Sequence, residues 1–269
     1  MSTVKATQGV DTHAHVFSAH APAVPGARYR PHYAAHLADW RSCWPGAGIS
    51  HGVVVQPSFF GADNRELLDT IASDPDHLRG VAVVPTNIDD GTLARFHAAG
   101  VRAIRLNLRG GRGYDEYQAA AWRNLFARLH ARGWHLEIFV DTGRLPEIVP
   151  ALLESPIAVV FDHFGAPGRE PGTIAATFAA ARQLAATREV WCKFSGAYRL
   201  EGGDPKEHAA RWLDTIGASR IVWASDWPWT GFEGDVEYQA LHARLAEWID
   251  PALAPAVLWD NAARLYGFS

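Results

Sequence analysis

Four side chains of the kinds that carry out hydrolysis stand where apolar runs of this sequence end. His13 and His15 end the first run, His163 lies at the end of the sixth, and Asp226 directly follows the eighth. Imidazoles can polarise a carbonyl or ligate a metal ion, and a carboxylate can take a proton from an attacking water. If the runs are strands whose C-terminal ends meet, the four side chains form one hydrolytic site.

The elements that must position these residues are eight β-rich runs separated by segments of helical composition. Several runs, such as 53–55 and 157–160, are continuously apolar, which is typical of parallel strands covered on both faces. Polar residues gather at the C-terminal end of nearly every run, and no Gly-x-Gly-x-x-Gly turn follows the first. The pattern predicts an α/β fold, a (β/α)8 TIM barrel, with strands over 9–15, 51–56, 79–85, 101–108, 134–140, 157–164, 190–195 and 221–225.

Eight helical segments alternate with these strands, and an extra C-terminal helix is expected over 251–266. Because chains of 269 residues commonly form one such barrel, residues 1–269 are expected to be a single domain. The predicted helices cover 33–44, 64–73, 91–99, 117–132, 144–154, 173–187, 205–216 and 235–248.

The composition excludes several classes of protein. With 48% hydrophobic and 20% charged residues, the chain has the make-up of a globular enzyme and not of a disordered segment. A net charge of -4 predicts no general attraction to nucleic acid, and no apolar stretch is long enough to predict a membrane span. Two cysteines and no apolar signal region favour a cytoplasmic protein, while a homo-oligomer is left open.

The His-x-His pair is weak evidence when taken alone, because packed or surface histidines also occur on strands. The period of two along a strand predicts that His13 and His15 lie on one face, which in a barrel is the interior. His163 and Asp226 reach the same end of the barrel from the sixth and eighth strands. Convergence from three strands favours a site over chance packing.

Five motifs in this chain resemble the amidohydrolase superfamily. They match its amidohydrolase-related branch, which includes 2-pyrone-4,6-dicarboxylate hydrolase and related lactonases, over nearly the whole chain. The motifs are Asp11-Thr12-His13-Ala14-His15, Asp162-His163-Phe164-Gly165, Lys193-Phe194-Ser195-Gly196, Ala224-Ser225-Asp226-Trp227-Pro228 and Asn261-Ala262-Ala263-Arg264-Leu265-Tyr266-Gly267.

The resemblance implies roles for the four candidate residues. Asp226 matches the general base that takes a proton from water, and His13, His15 and His163 match the histidines around the scissile carbonyl. The same four residues would hold one divalent metal, zinc or manganese, if a metal is bound; a metal-free mechanism is left open. A binuclear site is not expected, since no lysine ends the fourth strand and no histidine ends the fifth.

Arginines near the predicted strand ends are candidates for binding an acidic substrate. Arginine presents a planar fork that matches a carboxylate. Two further polar residues match positions that line the pocket in the family. The substrate-binding candidates are Arg105, Arg199, Arg109, Arg112, Ser58 and Tyr29.

These observations predict a hydrolase that opens a small carboxylated lactone of the pyrone dicarboxylate, muconolactone or sugar-acid type. Two alternatives are left open. One is a metal-dependent decarboxylase of the same superfamily, and the other is a barrel that binds an acid without turnover. The ring size of the substrate and its pathway do not follow from the sequence.

Overall fold

A computed structural model describes residues 8–19, 23–110 and 113–269 of the chain. Eight parallel strands follow one another around a single sheet in chain order, β1 to β8. This arrangement confirms the predicted (β/α)8 barrel, and each observed strand overlaps its predicted range. The strands are β1 Val10–Ala14, β2 His51–Val55, β3 Leu78–Ala82, β4 Val101–Asn107, β5 His135–Phe139, β6 Val159–Phe161, β7 Val190–Phe194 and β8 Ile221–Trp223.

Helices cover the outside of the strands, and two of the predicted helices are each divided in two. The predicted helix over 33–44 begins only at Leu37, because Ala35 pairs with Phe17 in an isolated bridge. The bounds of α8 agree with the prediction, since Asp204 caps it and Pro205 occupies its first turn. The helices are α1 Leu37–Ser42, α2 Trp44–Ala47, α3 Arg65–Ala72, α4 Asp90–Ala98, α5 Ala120–His130, α6 Leu145–Leu153, α7 Pro171–Ala185, α8 Pro205–Ile216, α9 Tyr238–Ala243, α10 Leu245–Trp248 and α11 Asn261–Tyr266.

The barrel closes between β1 and the segment that follows β8. The amide of Asp226 donates to the carbonyl of His13 (2.9 Å), and the amide of His15 donates to the carbonyl of Trp227 (2.8 Å). These two bonds place the ends of the first and last strands side by side. Residues far apart in the sequence are thereby held together by the backbone itself.

The half of the barrel interior that lies away from the C-terminal ends of the strands is apolar and is covered by the C-terminal segment. Valines of the strands, among them Val10 and Val222, form a buried cluster with Ala262, Tyr266 and Phe268. The predicted C-terminal helix is regular only from Asn261, after a 3-10 turn and a π-helical turn. Its role is therefore to cover the end of the barrel opposite the candidate site. Among the described residues no helix is long and apolar enough to cross a membrane.

Candidate active site

The three histidines and the aspartate meet at the C-terminal ends of β1, β6 and β8. The Nε2 atoms of His13 and His15 are 3.3 Å apart. Oδ1 of Asp226 lies 3.8 Å from Nε2 of His13 and 3.8 Å from Nε2 of His163. All four residues are buried or nearly so. The strand ends thus bring these four predicted residues into one cluster.

Two of these side chains lie on strained backbone. His163 and Asp226 have φ angles of 52° and 59°, a region that residues other than glycine seldom adopt. Asp11 holds the turn before Asp226, because its carboxylate accepts from the amide (2.8 Å) and the hydroxyl (2.5 Å) of Ser225. Trp40 of α1 and Tyr238 of α9 donate to the same carboxylate. The turn that presents Asp226 is therefore fixed by contacts from outside the barrel.

The two carboxylate oxygens of Asp226 have different surroundings. Oδ2 accepts from the Tyr198 hydroxyl at 2.7 Å and from Nε of Arg199, whereas Oδ1 faces the histidines. Burial alone would raise the pKa of Asp226, but the Arg199 guanidinium and the neighbouring histidines hold that pKa well below its usual range. The carboxylate is thus ionised at neutral pH, and Oδ1 is the oxygen open to a water molecule.

Outer partners orient two of the histidine rings. Nδ1 of His15 lies 2.8 Å from the carbonyl of Val55, which makes it the donor and leaves Nε2 with a free lone pair. Nδ1 of His163 lies 2.9 Å from the hydroxyl of Ser195. Burial lowers the pKa of His15 well below its usual value and that of His163 to about 3. Both rings are therefore neutral at pH 7.

A buried cluster of charges, absent from the sequence analysis as a functional unit, lies directly beneath the histidines. The ammonium of Lys193 lies 2.6 Å from Glu137, 3.3 Å from Asp162 and 3.1 Å from Nδ1 of His13. Arg105 donates from Nε to the other oxygen of Asp162 at 2.8 Å. The positive charges of Lys193 and Arg105 balance the negative charges of Glu137 and Asp162. The sequence feature that could have revealed this cluster is a charged residue inside each of several otherwise apolar strands.

The charges in this cluster stabilise one another. Burial would raise the pKa of both Asp162 and Glu137, but Lys193 lowers the pKa of each, and Arg105 further lowers that of Asp162. Both carboxyl groups are consequently ionised. His135, the first residue of β5, lies with Nε2 3.4 Å from Glu137, away from the candidate site.

The donor atoms fit one divalent metal ion. Ligand atoms of His13, His163 and Asp226 all lie within 4.8 Å of one another, and Nε2 of His15 borders His13. Imidazole and carboxylate are ligands that zinc and manganese accept. The Val55 carbonyl that accepts from Nδ1 of His15 is a typical outer partner of a ligating histidine, whereas Nδ1 of His13 lies 3.1 Å from the Lys193 ammonium and 3.3 Å from Asp162.

A second group of potential metal ligands surrounds the ammonium group of Lys193. Ligand atoms of His13, Glu137 and Asp162 also lie within 4.8 Å of one another. The ammonium of Lys193 lies within 3.3 Å of a polar atom of each of the three. The space between these three side chains is therefore occupied by a cation of the protein itself.

A cavity of about 350 Å³ opens above Asp226 and holds most of the predicted substrate-binding residues. Arg105, Arg199, Ser58 and Tyr29 all line it. Arg199 is bound to Asp226, and the Tyr29 hydroxyl donates to Glu233 at 2.6 Å. These two side chains thus already have partners within the protein.

The remaining predicted arginines lie elsewhere. Arg109 lines a neighbouring cavity and pairs with Asp141 and Glu201, each at 3.4 Å. Arg112 lies outside the described residues. Sequence reasoning missed Arg28, which lines both cavities; it stands next to the candidate Tyr29, and that position was the only signal.

This chain is similar to several known proteins. Two curated relatives are each 31% identical over 96% of this chain and 89% of their own length: a 2-pyrone-4,6-dicarboxylate hydrolase of Comamonas testosteroni and a 4-sulfomuconolactone hydrolase of Rhizobium radiobacter. A solved structure assigned to 2-pyrone-4,6-dicarboxylic acid hydrolase of Pseudomonas putida is 37% identical, covers 98% of both chains and superposes with a TM-score of 0.88. A family model described as Amidohydrolase matches residues 10–268. The resemblance in the motifs is thereby confirmed, and the chain belongs to the amidohydrolase family.

Proposed function

We propose that this protein hydrolyses a small lactone that carries one or more carboxylates. The observation that carries the proposal is the position of Oδ1 of Asp226, which faces the rings of His13 and His163 in a cavity bordered by arginines. The relatives named as pyrone dicarboxylate and sulfomuconolactone hydrolases act on ring esters with acidic substituents. A carboxylate base, imidazoles and arginine forks are the groups that such a reaction requires.

In the proposed reaction the water oxygen forms a bond to the lactone carbonyl carbon while Oδ1 of Asp226 takes the water proton. The carbonyl π electrons move onto oxygen, where N–H groups of His13 and His163 stabilise the developing negative charge. His15, whose Nε2 carries a lone pair, would contribute through a metal ion when one is bound. Collapse of this intermediate breaks the ring C–O bond, and Asp226 returns its proton to the leaving oxygen. Arg199 and Tyr198 hold Oδ2, so the carboxylate presents Oδ1 in one orientation.

A single divalent ion held by His13, His15, His163 and Asp226 is compatible with this proposal. When bound, the metal would supply Lewis-acid polarisation of the carbonyl. The Val55 carbonyl would then orient the ring of His15 as a ligand. We further propose that the substrate is a free small acid. We also propose that the enzyme is cytoplasmic, as the low cysteine content favours.

A hydrolysis screen before and after chelation tests the proposal. We expect the protein to hydrolyse at least one of pyrone dicarboxylate, muconolactone and a sugar-acid lactone. Turnover is measured as the loss of the ring absorbance or as the release of acid. Loss of activity on dialysis against EDTA, with recovery on adding zinc or manganese, would indicate a required metal, and unchanged activity would indicate the metal-free mode. Release of carbon dioxide from an aromatic acid without lactone turnover would instead support the decarboxylase alternative.

Arg105 is the arginine best placed to bind a substrate carboxylate in the catalytic cavity. Its Nε is bound to Asp162, and within the described part of the chain no partner is assigned to its terminal nitrogens. Because a charge-assisted contact contributes about 1.5–3 kcal/mol, Arg105→Met should lower kcat/KM for a carboxylated lactone by about one to two orders of magnitude.

The control for this variant is the corresponding lactone without the carboxylate, which should lose far less activity. Lysine at position 105 should restore only part of the loss, since an ammonium cannot reproduce the planar fork. Equal losses on charged and neutral lactones would assign Arg105 to the support of Asp162 instead of to the substrate.

A further inference from the structure

A second cavity adjoins the catalytic cavity, and no step of the proposed reaction takes place in it. Its volume is about 430 Å³, compared with about 350 Å³ for the catalytic cavity. Arg28, Ser58 and Asn107 line both of them, so the two spaces meet at these three side chains. Tyr114, Tyr117 and the carboxylate of Glu116 also line the second cavity, so its positive charge comes from Arg28 and Arg109. A ligand in the catalytic cavity can therefore extend past Arg28 without displacing any described part of the fold.

The charges around the two cavities single out Arg28. Three other arginines nearby each have a carboxylate partner within the protein: Arg105 has Asp162, Arg199 has Asp226, and Arg109 has Asp141 and Glu201. Arg28 forms no ion pair with any residue that the structure describes. Its assigned contact is a hydrogen bond of 3.4 Å to the neutral Oδ1 of Asn107.

The electrostatic surroundings of Arg28 favour an anion. Burial and then the neighbouring Arg109 lower the pKa of Arg28, and Arg105 and Arg199 act in the same direction. The closest compensating charge is that of Asp141, which is already shared by Arg109 and Arg144. An excess of positive charge at the junction of the two cavities would be relieved by a bound carboxylate.

From this arrangement we infer that the second cavity is a subsite for an acidic arm of the substrate, held by Arg28 at the junction. The inference rests on the proposed function and narrows its substrate class to lactones with a carboxylate on a flexible substituent. Ser58 and Asn107 offer neutral hydrogen bonds to the arm, and the tyrosines provide apolar walls beyond it. Arg28 lines the catalytic cavity, but its hydrogen bond goes to Asn107 and not to Asp226 or the histidines, so we expect it to act on affinity and not on the chemical step.

The test compares Arg28→Met with a matched variant, Arg30→Met, two residues along the same segment. Arg28 and Arg30 are both exposed, but Arg30 lines neither cavity, so the two variants differ in the position of the lost charge and not in its exposure. Three substrates separate the contributions: muconolactone, which carries a carboxymethyl arm; its primary amide, which has the same shape without the charge; and 2-pyrone-6-carboxylate, whose carboxylate is attached directly to the ring.

We expect Arg28→Met to lower kcat/KM for muconolactone by about tenfold, equivalent to about 1.4 kcal/mol, mainly through KM. The loss should be less than about threefold for the amide and for the ring acid, and Arg30→Met should behave like the unaltered protein. Equal losses on all three substrates, or a similar loss in Arg30→Met, would overturn the inference while the proposed function stands.

Titration calorimetry with citrate separates the inference from the proposed function. Citrate is a flexible tricarboxylate that needs no turnover, and its Kd should rise about tenfold in Arg28→Met and little in Arg30→Met. If no lactone is hydrolysed, the proposed function fails, but this titration still decides on the subsite. No citrate binding by the unaltered protein, or the same Kd in both variants, would overturn the inference.

Discussion

Replacing Asp226 with asparagine is expected to lower kcat by about a thousandfold, because the reaction loses the group that takes the proton from water. The backbone bonds that hold this turn, from the Asp226 amide to the His13 carbonyl and from Asp11 to Ser225, do not involve the Asp226 side chain. The variant should therefore fold, which circular dichroism can verify alongside the turnover assay. Turnover within tenfold of the unaltered enzyme would mean that another group takes the proton.

Tyr198→Phe is the matched control for Asp226→Asn. It removes one hydrogen bond to Oδ2 and leaves Oδ1 and its charge in place. Its loss in kcat should be far smaller, on the order of tenfold, since Arg199 still holds the carboxylate.

The pH dependence of the unaltered enzyme tests the state of the same group. Arg199 and the histidines hold the pKa of Asp226 below its usual range. If Asp226 is the base, kcat/KM should not show an acidic limb with a midpoint at or above about pH 4, the ordinary value for this side chain.

Replacing Lys193 with methionine is expected to destabilise the fold by about 3–5 kcal/mol, because it leaves a buried carboxylate without its cation. Lys193 is fully buried and lies between Glu137 and Asp162, of which only Asp162 keeps a second cation, Arg105. Urea unfolding followed by fluorescence measures the difference. Lys206→Met, at an exposed position on α8, is the control and should change stability by less than about 0.5 kcal/mol.

The double variant Lys193→Met/Glu137→Gln distinguishes charge balance from packing. Removing one cation and one anion together restores the neutrality of the cluster, so part of the lost stability should return. If the two substitutions are simply additive, the cluster is not held by the interaction between these two charges, and the loss in Lys193→Met comes from packing alone.

Much of the fold followed from local pattern. β-rich runs with polar residues at their C-terminal ends predicted all eight strands. Several of these runs, such as 53–55, are continuously apolar, as expected of parallel strands that are buried on both faces. Helix α8 could be bounded from Asp204 and Pro205, which act within one turn. The late start of the helix predicted over 33–44 was not foreseen, because the bridge from Phe17 to Ala35 joins residues that are distant in the sequence. The division of the helices over 33–44 and 235–248 was not foreseen either.

The sequence alone determined the kind of site, because residue type and strand position suffice to place His13, His15, His163 and Asp226 at one end of a barrel. Only the tertiary structure decided how the charges are shared. Arg199 and Asp226 are 27 residues apart, and Lys193 and Glu137 are 56 apart, so their pairing depends on strand register and side-chain direction. No local pattern encodes these quantities. For the same reason, the sequence does not distinguish Arg28 from its neighbours. Only the structure shows that Arg28 joins two cavities and is unpaired in the described part of the chain.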